Sequence, residues 1–304
     1  MLSSLKNGEC LKSRLYLEDP CKINDAWRLE ALKIPEKYSR EIMMSIESEV
    51  LRAIIRERAH HTVEWIVYLA LESRIEIHPS HGALLKHLLD MWRDRGLPLD
   101  HPDIQWAVRL LELLEDCRQE RKPEAQLEYP RKMSDGELDT VDEIIYKRRS
   151  IRSFTDEDVS RQMIEKIVEA GLWAPSACNL QTVRALIVDS EEGLSIFRKG
   201  EVGGAPIYVV ICQDYRPYEF FENQIPLHNR GYDAGAVVQN MLLMAHALGL
   251  GAVWLTLSEN QTQQIRELYS LPSHMHISTY IGLGWPSQGA IAPGRIRVKD
   301  AIIG

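Results

Sequence analysis

The stretch that decides the fold is residues 231–256, which read GYDAGAVVQNMLLMAHALGLGAVWLT. Within it, residues 233–248 predict an unusually apolar helix with small side chains such as Ala234 and Gly235 along one side. A β-rich run follows at residues 251–257. We interpret the helix as the centre of a hydrophobic core or of a subunit interface.

Around this stretch, short β-rich runs alternate with helical runs. The β-rich runs cover residues 183–188, 206–212, 251–257 and 276–283. The predicted helices cover residues 134–147, 158–173, 191–199 and 233–248, and a further helix follows residue 258. Capping boxes open the first and the last of these helices, at Ser134-x-x-Glu137 and Ser258-x-x-Gln261. In the helix over 158–173, the residues expected to face inward are Met163, Ile164, Ile167, Val168 and Leu172. The alternation predicts a domain built from layers of sheet and helix.

The first part of the chain reads as one helix after another, interrupted by prolines. Between residues 23 and 122 the predicted helices cover residues 36–60, 62–77, 82–95 and 103–121. Residues 121–136 are polar, contain two prolines and make the best linker. We therefore expect an all-α domain of unknown role at 1–130 and a second domain at 131–304.

Composition and charge argue against several classes of protein. The chain has 304 residues, of which 45% are hydrophobic and 26% charged, as in globular proteins of about two domains. A net charge of −8 argues against nucleic-acid binding. Because the chain has no run of about 18 apolar residues and no apolar N-terminal segment, we expect neither a membrane span nor export. A cytoplasmic location is expected from five scattered cysteines, Cys10, Cys21, Cys117, Cys178 and Cys212.

A basic cluster follows the predicted helix over 134–147. It consists of Arg148, Arg149, Ser150 and Arg152. Arginine suits phosphate because its planar guanidinium donates two parallel hydrogen bonds, and the serine hydroxyl adds another donor. The alternative interpretation is a solvated basic end of a helix, which complements the helix dipole.

A polar turn follows the helix over 158–173. Pro175 ends that helix, and Ser176, Asn179 and Gln181 then offer uncharged donors and acceptors. Such groups suit an uncharged heterocycle with amide-like edges. The alternative is an ordinary capped turn, since serine and asparagine readily bond their own backbone.

Two further features lie near the C-terminus. Residues 281–286, IGLGWP, predict a strand that ends on a glycine turn. Arg295 and Arg297 are two residues apart, so on an extended segment their side chains point the same way.

In this order and spacing, the motifs resemble the FMN-dependent nitroreductase family. The pattern of that family is an R-x-S-x-R cluster, an A-P-S-x-x-N-x-Q turn, a helix that ends in A-x-x-L-G-L-G, a G-x-G-W-P turn and a basic tail. The resemblance covers Asp139–Arg297, roughly half of the chain. No family is recognised for residues 1–130.

The resemblance implies an α+β fold, a layered sheet with flanking helices, in an intertwined homodimer with one FMN at each of two interface sites. Arg148 and Ser150 match phosphate-binding positions, and Arg149 between them is a further candidate. Arg152 matches the cation near the pyrimidine edge of the flavin. A guanidinium there stabilises the negative charge that hydride delivery leaves on the ring, so Arg152 tunes the chemistry.

The remaining matches come from the turn and the tail. The residues that match the turn beside the ring, contributed by the partner subunit, are Pro175, Ser176, Asn179 and Gln181. Arg297, together with Arg295, matches the C-terminal phosphate ligand. Thr182 and Val183 depart from the family, which has a proline and an aromatic residue there. Because the reaction takes place on the flavin, no catalytic side chain is expected.

Other candidate residues stay open. Segment 214–230 falls where the family places pocket-covering elements, so its aromatic residues either shape a pocket or simply pack; they are Tyr215, Tyr218, Phe220 and Phe221. Cys178 either lies near the ring or is a spectator thiol. The pairs Glu57-x-x-His60 and His61-x-x-Glu64 need a second pair on a facing helix to hold a metal, and none is evident, so no metal is expected.

The matches predict an oxidoreductase that takes hydride from NADH or NADPH onto FMN and reduces a nitroaromatic, a quinone or a related small molecule in a ping-pong cycle. Neither Gly249-x-Gly251 nor Gly282-x-Gly284 completes a dinucleotide fingerprint. The family needs none, because the nicotinamide stacks directly on the flavin. The alternatives are dehalogenation or flavin fragmentation on the same fold, and a non-enzymatic flavin-binding redox sensor.

Overall fold

The computed structural model describes residues 34–72, 75–121, 128–198, 204–222 and 224–303. Residues 23–33 of the predicted helical run, Cys10, Cys21, residue 199 and residues 122–127 of the predicted linker lie outside the described residues. The helix predicted over 191–199 ends at Ser195, so its predicted C-terminal boundary is wrong. Contacts divide the chain into two compact units. The first comprises Met1–Glu128, Cys178–Leu180 and Phe220–Pro226, and the second comprises the rest. The predicted boundary at residue 130 stays a prediction.

The described part of residues 1–130 is helical, as predicted. Its helices are α1 (Arg40–Ser45), α2 (Ser48–Arg58), α3 (Trp65–Leu71), α4 (Ala83–Asp94) and α5 (Pro102–Arg118). Their apolar faces meet in one core, in which Leu51, Ile54, Leu85, Leu88 and Ile104 are completely buried. Burial of these side chains is the main force that holds short helices together.

Three predicted helix boundaries in this unit are wrong. The helix predicted over 62–77 ends at Leu71, and residues 75–77 are not helical. The single helix predicted over 36–60 is interrupted at Ile46, which has extended backbone. There the carbonyl of Met43 accepts a hydrogen bond from Arg95 at 3.0 Å instead of from the next turn. The break predicted after residue 60 is absent, because a π-helical turn at Ala59–Glu64 joins α2 to α3.

The rest of the chain contains helices and one sheet. The helices are α6 (Asp135–Lys147), α7 (Arg161–Leu172), α8 (Glu191–Ser195), α9 (Arg216–Phe220), α10 (Asn229–Ala247), α11 (Glu259–Leu268) and α12 (Val298–Ala301). The strands are β1 (Val183–Val188), β2 (Ile207–Asp214), β3 (Gly251–Leu255) and β4 (Met275–Gly284). The sheet has the order β1-β2-β4-β3, and every pair is antiparallel. The predicted α+β architecture with a helical N-terminal region is therefore confirmed.

Helices cover both faces of the sheet, so all eight residues of β2 are buried. Val209 belongs to the cluster that includes Met241 of α10. Val210 points the other way, into a cluster that includes Ile265 of α11. This alternation is the period of two that a strand imposes. The prediction that the helix over 233–248 lies at the centre of a core is confirmed, although α10 begins four residues earlier.

One predicted core residue is on the surface. Leu172 is 59% exposed, because the buried stripe of α7 runs through Ile164, Ile167 and Gly171. A side chain at Gly171 would come within 3.0 Å of Met241, so the helices pack most closely there. Leu172 lies one residue beyond this stripe, about 100° further round the helix.

Local signals at the helix ends are confirmed. The capping boxes at Ser134 and Ser258 are both formed. Gly249 ends α10 with a φ of +80°, and Leu250 N–H then donates to Ala245 O at 2.9 Å. Among the helices that the structure describes, none has the length and apolar content needed to cross a bilayer.

Candidate functional site

The basic cluster lies at the junction of α6 with the edge of the sheet. α6 ends at Lys147, and Ser150 pairs in parallel with Ala252 of β3. The Ile151 N–H donates to Ala252 O at 3.2 Å. This close approach requires glycine at position 251, because a Cβ on Gly251 would lie 2.7 Å from Ile151 Cγ2. The tertiary fold therefore anchors the segment that carries the arginines.

The positive charges of Arg149 and Arg295 lie near enough to Arg148 to act on its guanidinium. Arg148 is half-buried, and its pKa is lowered, first by burial and then by the positive charges of Arg295 and Arg149. Both charged groups that act on Arg148 are thus cations. Like charges repel, and an anion bound between them offsets that repulsion; guanidinium groups are the preferred partners of phosphate. The donor set therefore fits the phosphate group of FMN.

The other basic candidates have different surroundings. Arg149 donates to the carbonyls of Tyr146 and Arg148 at 2.7 and 2.8 Å, so its guanidinium also caps the end of α6. Arg297 Nε forms an ion pair with Asp300 Oδ2 at 2.8 Å. Of the two tail arginines, only Arg295 lowers the pKa of Arg148 through its charge.

The exposed end of the cluster is Arg152, which lies on the solvent side of the same segment. Ser150 is half-buried, and its backbone pairing with β3 holds it next to the arginines. The roles of both residues stay predictions.

The polar turn after α7 has an unusual backbone. Ser176 Oγ accepts a hydrogen bond from Gln181 N–H at 3.2 Å, which closes the turn as in the ordinary capped alternative. Cys178, Asn179 and Gln181 nevertheless all have positive φ, between 51° and 55°. Left-handed backbone at a non-glycine residue costs roughly 1–3 kcal/mol and persists only where the surroundings hold it.

A buried carboxylate holds the start of this turn. Asp233 on α10 accepts the Ala177 N–H at 2.9 Å, and Tyr218 OH donates to the same carboxylate. Burial raises the pKa of Asp233, and the hydrogen bonds from Tyr218 and Ala177 oppose that effect. No sequence motif assigned this role to Asp233. The available signal was an acidic residue at the start of an otherwise apolar helix.

The aromatic residues of segment 214–230 pack. Tyr218 and Phe221 are almost completely buried. Tyr215 stacks on His276 with ring centroids 4.6 Å apart, and Arg230 lies 3.9 Å from the Tyr215 centroid on its π-face. Packing thus explains these side chains, and any contact with substrate stays a prediction.

Phe220 and Phe221 belong to the first unit. Phe220 lies 5.8 Å from Tyr38 between ring centroids, and Lys37 Nζ lies 5.5 Å from the Phe220 centroid. The helical unit therefore packs against this part of the segment.

The histidine and glutamate side chains on α2 and the π-helical turn lie next to one another along one helix. His60 Nδ1 lies 2.7 Å from Glu64 Oε2, and His61 Nδ1 lies 3.4 Å from Glu57 Oε1. The neighbours are therefore four residues apart in the chain. The sequence motifs had paired residues three apart, Glu57 with His60 and His61 with Glu64. Over the described ranges of the chain, no three His, Cys, Asp or Glu side chains form a group that could hold a metal ion.

Comparison with known proteins identifies the family. The Nitroreductase family model matches residues 145–199 and 196–285. A protein of Methanothermobacter thermautotrophicus described as an NADH dehydrogenase/NAD(P)H nitroreductase is 33% identical over 166 residues, which cover 51% of this chain and 82% of that protein. An FMN reductase (NAD(P)H) of Bacillus subtilis is 27% identical over 165 residues, covering 49% of this chain and 66% of that protein.

Solved structures are similar over the same region. A crystal structure described as a nitroreductase in complex with FMN, from Desulfovibrio desulfuricans, is 34% identical. It covers 53% of this chain and 94% of that one, with a TM-score of 0.46. The family match falls inside the region Asp139–Arg297 over which the motifs predicted it. On the sequence matches, the chain belongs to the nitroreductase family.

Proposed function

We propose that the protein is an FMN-dependent oxidoreductase that takes hydride from NADH or NADPH and reduces a nitroaromatic, a quinone or a related small molecule in a ping-pong cycle. The observation that carries the proposal is the family match together with the basic cluster of Arg148, Arg149, Ser150 and Arg152, on which the charge of Arg295 also acts. Relatives named as NAD(P)H nitroreductase and FMN reductase support the same chemistry.

The chain's own residues bind and orient the cofactor. Arg148 and Arg295 hold the phosphate, with the Ser150 hydroxyl as a further donor, because three like charges in one place are stabilised by a dianion. Arg149 contributes its charge while its hydrogen bonds cap α6. Arg297, which is paired with Asp300, is the weaker candidate of the tail.

The ring is held by the turn and tuned by a cation. Pro175, Ser176, Asn179 and Gln181 pack beside it and offer neutral hydrogen-bonding groups to its edges. Bound FMN supplies a ring that accepts hydride and passes electrons to the acceptor. Arg152 places a positive charge near the pyrimidine edge, where it stabilises the electron-rich form of the ring more than the oxidised form.

A homodimer completes the site. α6 has no buried residue, although it carries Leu138 and Ile145. Trp173 is 83% exposed, and Ile303 near the C-terminus is 99% exposed. Large apolar side chains that are this exposed are candidates for contact with another protein surface. We assign these residues to the contact with a second copy of the chain. Such a contact would let the turn at residues 175–181 of one copy reach the flavin of the other.

The chromophore of the purified protein tests the function. The chromophore that heat releases from the purified protein should be identified as FMN by chromatography. Rapid oxidation of NAD(P)H by the protein should depend on an added quinone. Release of FAD, or no flavin after reconstitution, would contradict the proposal. Bound FMN without turnover would favour the redox sensor, and dehalogenated or fragmented products under air would favour the other flavin reactions.

Light scattering tests the assembly. An FMN-loaded protein with the mass of one chain, 34.9 kDa, would contradict the dimer. A cytoplasmic location is part of the proposal and is supported by the odd number of scattered cysteines in the sequence.

A further inference from the structure

A buried arginine of the first unit bonds the backbone of the polar turn. Arg56 lies on α2 and is 3% exposed. Its Nη2 donates to Leu180 O at 2.6 Å, and its Nη1 donates to Asp103 Oδ2 at 2.7 Å. Arg56 and Cys178–Leu180 belong to the same compact unit, so this hydrogen bond lies within one body.

The carboxylate that orients Arg56 is itself firmly held. Arg52, one turn earlier on α2, donates to both oxygens of Asp103 at 2.6 to 3.1 Å. Burial works to raise the pKa of Asp103, but the hydrogen bonds from Arg52 and Arg56 outweigh it and hold the pKa at about 2. Asp103 also lies in the first turn of α5, where the helix dipole favours a negative charge. Asp103 is therefore ionised at neutral pH and fixes the direction of Arg56.

The bonded carbonyl lies inside the strained part of the turn. Leu180 is completely buried and stands between Asn179 and Gln181, both with positive φ. A hydrogen bond from a charged donor to a buried carbonyl is stronger than one between neutral groups. The surroundings must hold left-handed backbone of this kind, and Arg56 supplies one such contact from far along the chain.

We propose that Arg56 is a positioning residue for the flavin site: its guanidinium, fixed by Asp103, orders the turn that carries Asn179. This inference rests on the proposed function, since it assigns the turn to the FMN ring. It gives α2 a role, which is to hold Cys178–Leu180 of the same compact unit in the conformation that binds the ring. Arg56 acts through the turn and makes no contact with the reacting atoms.

Arg52 offers a matched control. Arg52→Gln and Arg56→Gln each remove one guanidinium from Asp103, but only Arg56→Gln removes the hydrogen bond to Leu180 O. Loss of general stability should therefore appear in both variants. Loss of order in the turn should appear only in Arg56→Gln.

Cys178 reports on the turn directly, without FMN. Alkylation of the apo protein by iodoacetamide is followed at Cys178 by peptide mass spectrometry. Because a lost charge-assisted hydrogen bond changes an equilibrium by roughly tenfold to a hundredfold, Arg56→Gln should be alkylated about tenfold faster than wild type. Arg52→Gln should stay within about twofold of wild type. The dissociation constant for FMN should rise about tenfold in Arg56→Gln alone.

Each failure has its own signature. Equal alkylation rates in Arg56→Gln and Arg52→Gln would overturn the role of Arg56, whether or not FMN binds. Wild-type protein that binds no FMN would overturn the proposed function, and the alkylation rates would still decide whether Arg56 orders the turn.

A second variant covers the case in which Arg56→Gln does not fold. Arg56→Lys keeps the charge beside Asp103 but replaces a planar, two-pronged donor by a point charge. The rate of Cys178 alkylation in Arg56→Lys should lie between the rate in the wild-type protein and the rate in protein unfolded by denaturant. Alkylation of Arg56→Lys at the wild-type rate would overturn the role of the guanidinium.

Discussion

Because two cations act on Arg148, we expect its replacement by methionine to stabilise the protein without FMN and to weaken FMN binding. Arg148→Met keeps much of the aliphatic stem and removes the charge. The pKa of Arg148 is lowered by burial and by Arg295 and Arg149, so the folded apo protein carries an unfavourable cation there. Removing that charge should raise the melting temperature of the apo protein, and more so at low salt, where repulsion is least screened.

The same substitution should weaken FMN binding. A charge-assisted hydrogen bond contributes about 1.5–3 kcal/mol, so the dissociation constant should rise roughly tenfold to a hundredfold. Titration of FMN by the quenching of its fluorescence measures the affinity. Thermal unfolding in a buffer without phosphate measures apo stability, since phosphate itself would bind the site.

Arg149→Met is the matched control, because its guanidinium also bonds two backbone carbonyls at the end of α6. Its loss should lower the melting temperature of the apo protein. An Arg148→Met variant with lowered apo stability and unchanged FMN affinity would refute the assignment of a phosphate site to this cluster.

Three further substitutions test the cofactor, the packing and the ion network. Arg152→Ala should lower the midpoint potential of bound FMN and slow its reduction by NAD(P)H, with less loss of FMN affinity than Arg148→Met; redox titration showing an unchanged potential would mean that Arg152 lies elsewhere. Gly251→Ala should destabilise the protein by roughly 1–3 kcal/mol, because its Cβ would lie 2.7 Å from Ile151 Cγ2, and denaturant unfolding should show partial rescue by Ile151→Ala. The pKa of Asp103, about 2 when folded, is below its usual value of about 3.9, so its ion pairs stabilise the fold above pH 4 and are lost as the pH falls toward 2. Asp103→Asn should therefore reduce the difference in unfolding free energy between pH 7 and pH 3, and an unchanged difference would contradict the shift.

Patterns within a few residues determined much of the second domain. The strand over 183–188 was predicted with its observed bounds, because a run of apolar and β-branched residues favours extended backbone locally. The capping boxes at Ser134 and Ser258 formed as predicted, since a cap joins groups only three residues apart. The ordered motifs also identified the family. These features depend on neighbours in the chain, which the sequence displays directly.

Tertiary structure alone decided the partners of distant groups. The alternation of strands and helices did not reveal an antiparallel sheet of order β1-β2-β4-β3, because strand order is set by packing over long separations. Arg297, together with Arg295, matched the C-terminal phosphate position, yet the charge that acts on Arg148 is that of Arg295, and Arg297 pairs with Asp300. Arg56 and Leu180 are 124 residues apart, and no local pattern marks their hydrogen bond. The sequence by itself determined the elements and the motifs, whereas the folded chain decided which charges meet and which carbonyls they bond.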